Sequence, residues 1–143
     1  MPTEQPAPIS KSALWTGRVL SGLIILFLIF DIVVKLIPLE IAMTTSGELG
    51  YPATADFARG LGILLLICTA LYAYPKTSIL GAILLTGYLG GAIATHVRVG
   101  SPLFSHTLFG VYLGLMLWGG LYLRDLSLRA LIPLRRWAAL RSS

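Results

Sequence analysis

The chain has 143 residues, of which 56% are hydrophobic and only 12% charged, with a mean hydropathy of +0.83 and a net charge of +5. A soluble domain carries about 25% charged residues to cover its surface, so the surplus apolar surface here must face lipid, and a water-soluble enzyme is excluded. The basic residues stand at the ends of apolar runs and in the C-terminal tail, where they meet anionic lipid headgroups; membrane lipid is an expected partner and nucleic acid is not.

Residues 1–13 carry Pro2, Pro6 and Pro8, with no basic n-region and no small-residue cleavage site, and read as a disordered lead rather than a cleaved signal peptide. The first apolar run, 14–37, is followed by Pro38. A helix rises 1.5 Å per residue, so about 20 residues cross a hydrocarbon core of roughly 30 Å, and this run suffices. Residues 38–56 form a loop with Glu40, Glu48 and the turn-like Gly50-Tyr51-Pro52. Loops of this length are often functional; this one can close as a lid, with 39–45 as a short interfacial helix. The second helix is 57–74, stopped by Pro75. Pro75-Lys76-Thr77 leaves room only for an antiparallel hairpin into the third helix, 78–97. A short link, 98–103, leads to the fourth, 104–123. The tail, 125–143, mixes leucines, Trp137 and the arginines Arg129, Arg135, Arg136 and Arg141; it either lies along the headgroups or is solvated.

Backbone polar groups in lipid must be satisfied internally, which helices achieve and open sheet edges do not. The expected fold is all-α: an integral membrane up-down four-helix bundle forming one domain over 14–124. Eight of the eleven basic residues, among them Lys11, Arg18, Lys76 and Arg124, share the side of the termini, against Lys35, Arg59 and Arg98 opposite. That asymmetry puts both termini in the cytoplasm, with a bacterial inner membrane as the expected setting. Trp15 and Trp118 suit interfacial or near-interfacial depths. The pairs Gly87/Gly91 and Gly110/Gly114 have the spacing that lets helix backbones approach in lipid, read first as internal packing, with a dimer face or a slot for a flat ligand as the alternatives.

The ionisable residues carry the functional signal. Asp31 and Lys35 lie four apart on one helix face and can pair, with Asp31 roughly 9 Å inside the apolar run by helical rise. Arg59 begins the second helix on the same side, His96 ends the third, His106 begins the fourth, and Arg98 lies between them. Antiparallel packing brings all six to one end of the bundle. Buried charge in a bilayer is costly, so such residues usually face inward and pair. Each also has a plain explanation: a register-fixing ion pair for Asp31, snorkelling for Arg59 and Arg98, and hydrogen-bonded caps for the histidines. Convergence of six at one depth favours a pocket. Zincin, phosphate-loop and nucleophile-elbow motifs are missing from the sequence, and no metal site is expected. The single cysteine, Cys68, excludes an intramolecular disulfide. Two histidines at equal depth can ligate a haem if they face each other across a flat cavity.

Several segments resemble the DoxX-like family of small four-helix membrane proteins: Val34-Lys35-Leu36, Leu49-Gly50-Tyr51-Pro52, Gly81-Ala82-Ile83-Leu84-Leu85, and above all Gly91-Ala92-Ile93-Ala94-Thr95-His96-Val97-Arg98-Val99-Gly100-Ser101-Pro102. The resemblance covers residues 15–134. Family members are linked to quinone-coupled oxidation of sulfur compounds or have no assigned role, so it implies a redox or quinone association. The family pattern often has a glutamate near Leu65, where this sequence has only aliphatic residues, which removes that acid from any proton relay.

The leading expectation is a quinone or other lipophilic molecule held with its headgroup among His96, Asp31, Lys35 and Arg98. His96 would donate to a carbonyl and carry protons, Asp31 would orient it, and Lys35 and Arg59 would stabilise a developing anionic oxygen. The alternatives are a non-catalytic scaffold or assembly partner of a membrane oxidoreductase complex, or a non-redox isomerase or hydrolase using His96 and Asp31 as acid and base. Transport by four helices requires a homo-oligomer.

Overall fold

A computed structural model describes residues 8–37 and 40–132 of the chain. The first seven residues of the expected lead, Pro38 and Leu39, and the tail segment with Arg135, Arg136, Trp137 and Arg141 lie outside the described residues.

Helix α1 (Lys11–Leu36) begins earlier than hydropathy predicts because Ser10 caps it, its hydroxyl accepting the Ala13 N–H at 3.2 Å. Helix α2 (Glu40–Glu48) occupies about half of the predicted loop. Thr54 caps α3 (Ala55–Ala73), which ends before a single 3-10 turn at Pro75–Thr77. Helix α4 (Ser78–Arg98) follows, then a π-helical turn (Leu103–Thr107), α5 (Phe109–Arg124) and the short α6 (Leu126–Leu131). Four helical stretches are long and apolar enough to span a membrane, and there is no strand among the described residues. The chain is a four-helix membrane bundle. Helix α1 packs on α3 and α5, α4 packs on the same two, and α1 therefore faces α4 across the diagonal.

The Pro75 end of the bundle is tightly joined. A Cβ on Gly17 would lie 2.8 Å from the Gly120 carbonyl oxygen, and one on Gly81 would fall inside the Tyr72 backbone, so α1 meets α5 and α3 meets α4 through bare backbone. The Tyr72 hydroxyl donates to the Leu117 carbonyl at 2.8 Å. Its proton being used, it accepts from Ser21 Oγ at 3.0 Å, and Ser21 in turn accepts from Arg124 Nε at 2.9 Å. This buried network joins α1, α3 and α5 at that end. Trp118 spends its indole N–H on Thr86 Oγ1 at 2.7 Å, tying α5 to α4, because an N–H facing hydrocarbon needs a partner. Arg129 turns back to the Tyr122 and Leu123 carbonyls, satisfying the C-terminal groups of α5.

Candidate functional site

At the opposite end the helices enclose a cavity of about 750 Å³, walled by α1, α3, α4 and α5 and roofed by α2. Ile41, Ala42, Thr45 and Ser46 form the face of α2 turned to it, at the spacing that places side chains on one side of a helix. The lid expected from the loop length is therefore a helix, and it sits over the polar cluster.

Two left-handed glycines shape the edges of the site. Gly50 (φ 82°) ends α2, and the Tyr51 N–H returns to the Ser46 carbonyl at 2.9 Å. That turn stacks the Tyr51 ring on Phe57 at 5.1 Å and brings its hydroxyl to Thr95 Oγ1 at 2.8 Å. Since Thr95 donates to the Gly91 carbonyl, Tyr51 is the donor to Thr95. Gly100 (φ 71°) ends α4 in the same manner, and the Ser101 N–H reaches the His96 carbonyl at 3.0 Å. The serine side chain then lies 2.9 Å from His96 Nδ1. After Pro102 the chain winds as a π turn, a geometry frequent at functional sites, and delivers His106 to the cavity with its Nδ1 on Ser105 Oγ at 2.7 Å.

Four of the six expected site residues line this cavity: Asp31, Lys35, His96 and His106. Asp31 and Lys35 are ion-paired along α1, with 31% and 19% of their side chains exposed. The imidazoles of His96 and His106 stand 5.8 Å apart between centroids at 62°. With each Nδ1 held by a serine hydroxyl, both Nε2 atoms are left for a ligand.

Arg59 and Arg98 stand apart from these four. Neither lines the cavity. Arg59 is exposed on α3 with its nearest acid Asp56, at 3.9 Å, three residues back on the same helix face. Arg98 Nη2 donates to the Leu49 carbonyl at 2.8 Å and so fastens the end of the lid. The glycine pairs also behave differently from the packing expectation. Only Gly110 is in close contact, its Cβ position 2.7 Å from Ile93, whereas Gly87, Gly91 and Gly114 have open space beside them. Gly87 and Gly91 line the cavity, as the ligand-slot alternative requires. Tyr51, Tyr88 and Thr95 also line it and were not among the expected site residues.

The donor set bears on cofactors. Among the described residues no group of three His, Cys, Asp or Glu side chains is placed to hold a metal ion. Haem ligation needs two Nε2 atoms on one line through the iron with the macrocycle between the rings. Both rings line the same cavity with centroids 5.8 Å apart, close enough for a single ligand to touch both. Cys68 is buried in the core and does not line the cavity.

Fold and cavity together define a small integral membrane protein: four spanning helices in contact with lipid, a short helical lid, and an apolar chamber with a few polar groups at one end. The model of the DoxX-like family matches residues 19–120, more than two-thirds of the chain, and the chain belongs to that family. Neither a curated protein nor a solved structure matches it.

Proposed function

We propose that this protein binds a quinone or a similar lipophilic carbonyl compound and works as a redox-linked membrane subunit. The observation that carries the reading is the 750 Å³ cavity with Asp31–Lys35 on one wall and His96 and His106 on another. Ligand sites fall at about 300–1,000 Å³, mostly apolar with a few convergent polar groups, and a flat ring can lie against the wall that Gly87 and Gly91 leave bare. In this reading His96 and His106 donate from Nε2 to a carbonyl oxygen and exchange its proton. Lys35, paired with Asp31, stabilises negative charge developing on the ring oxygen.

The basic-residue asymmetry supports placing both termini in the cytoplasm of a bacterial inner membrane, which puts the lid on the opposite face. Maleimide labelling of Lys76→Cys from the cytoplasmic side alone is the expected result in a Cys68→Ala background. A membrane oxidoreductase complex, or a second copy of the chain, would supply the electron partner.

Native mass spectrometry tests the ligand. Wild type released gently from detergent should carry a quinone-sized mass that His96→Ala loses while keeping its thermal unfolding temperature. A bare wild-type protein, or one carrying only phospholipid, would favour the scaffold reading. A Soret band would replace quinone with haem.

A further inference from the structure

The cavity's four seams are not equivalent at the α2 end. Between α1 and α3 the α3 backbone lies against α1 side chains, a Cβ on Gly62 lying 3.0 Å from Lys35 Cβ and 3.1 Å from the Leu36 side chain. Between α4 and α5 the seam is closed by Gly110 against Ile93 and by the histidine pair. Between α3 and α4 it is bridged by Tyr51, stacked on Phe57 and bonded to Thr95. At the seam between α1 and α5, Phe27 and Phe109 meet edge to face, with centroids 5.3 Å apart.

Both phenylalanines line the cavity and are also exposed on the outside of the bundle, 37% and 41% respectively. Phe30, one turn along α1 and 67% exposed, borders the same opening. These rings are therefore the partition between chamber and lipid. Nothing but rotation about their side-chain bonds is needed to part them, a motion of nanoseconds or slower in a packed setting. Opening the α1/α3 seam would separate helices packed at glycine distance, opening the α3/α4 seam would break the Tyr51–Thr95 hydrogen bond, and the α4/α5 pair is held by Trp118 on Thr86. The aqueous roof is likewise fastened, by Arg98 on Leu49 and by Tyr51 on Thr95.

We propose that the α1/α5 seam is a lateral portal, and that the ligand is a tailed quinone whose head rests by His96 and His106 while its single apolar tail leaves between Phe27 and Phe109 into the bilayer. The inference rests on the quinone reading above and adds the route and the tail. A charged compound has no reason to use a door that faces hydrocarbon, whereas a quinone dissolved in the bilayer meets it directly.

The test uses the full chain in phosphatidylcholine–phosphatidylglycerol nanodiscs with decylubiquinone as the probe, its binding first established by native mass spectrometry. The photoreactive residue p-benzoyl-phenylalanine replaces Phe27 or Phe109 in turn. Phe30, which is largely exposed, is a further position where the replacement disturbs no packing, and Leu64 and Leu84, exposed on α3 and α4, are controls. Irradiation should couple the decyl chain at positions 27, 30 and 109 at least tenfold more than at the controls, and His96→Ala should remove that excess. Equal coupling at all positions, or an excess at the controls, would refute the portal while leaving quinone binding intact. Failure of wild type to hold decylubiquinone at all would overturn the reading and the portal together.

Discussion

The two ends of the bundle use glycine for opposite purposes. At the Pro75 end, Gly17, Gly81 and Gly120 have neighbouring backbone where a side chain would be, and the Ser21–Tyr72–Arg124 network locks the resulting contacts. At the α2 end, Gly87 and Gly91 have nothing within contact distance, and the space they leave is the chamber. One end trades side chains for packing and the other for volume. In lipid, where apolar burial gives helices little reason to associate, close packing and hydrogen bonds supply the association. The tight end can hold the bundle while the other stays hollow.

The comparison breaks most visibly by exchanging its glycines. Gly81→Leu drives a side chain into the Tyr72 backbone and should cost at least about 3 kcal/mol, read as loss of the folded species in thermal unfolding in detergent. Gly87→Leu at the other end should leave stability within about 1 kcal/mol of wild type and abolish retained ligand in native mass spectrometry. Equal damage from both would show that the chamber is not open space. His96→Ala should weaken decylubiquinone binding by about tenfold to a hundredfold, as for a lost hydrogen bond worth about 1.5–3 kcal/mol, with unfolding unchanged. Tyr72→Phe removes the hydroxyl that joins Ser21 to Leu117 and should lower stability by about 1–2 kcal/mol, leaving ligand binding untouched. The smallest effect belongs to Arg98→Ala. Its contact with Leu49 is at the surface, so global stability should move by less than about 0.5 kcal/mol. Hydrogen exchange over the α2 lid should nevertheless quicken, as its fastening is lost.

The spanning helices were legible because composition and length alone determine them, and the Asp31–Lys35 pair because spacing of four on a helix permits one geometry. Depth was also legible, since helical rise converts sequence position to height. Direction around the helix axis was not. Arg59 and Arg98 reach the correct end of the bundle, yet one points outward beside Asp56 and the other ties down the lid. Glycine spacing suffers the same ambiguity: a G-x-x-x-G pair marks a smooth face without saying whether a helix or a void lies against it. Gly87 and Gly91 show the void, Gly110 the helix. Tyr72 and Tyr88 offered a usable signal, because a phenol within an apolar span needs a partner or a cavity for its hydroxyl. The serine partners of the histidines were harder to see. Ser101 depends on the left-handed turn at Gly100, and Ser105 on a π turn that no hydropathy pattern announces.

Solution NMR on the isotopically labelled protein in detergent, titrated with decylubiquinone, addresses the central claim most directly. Amide shifts should move at Asp31, Gly91, Thr95, His96 and His106 and stay still at Gly17, Tyr72 and Gly120. A saturating response confined to the α2 end would establish the hollow end as the binding end. Shifts scattered over the lipid-facing residues of all four helices, or none at all, would contradict a ligand site in this chamber.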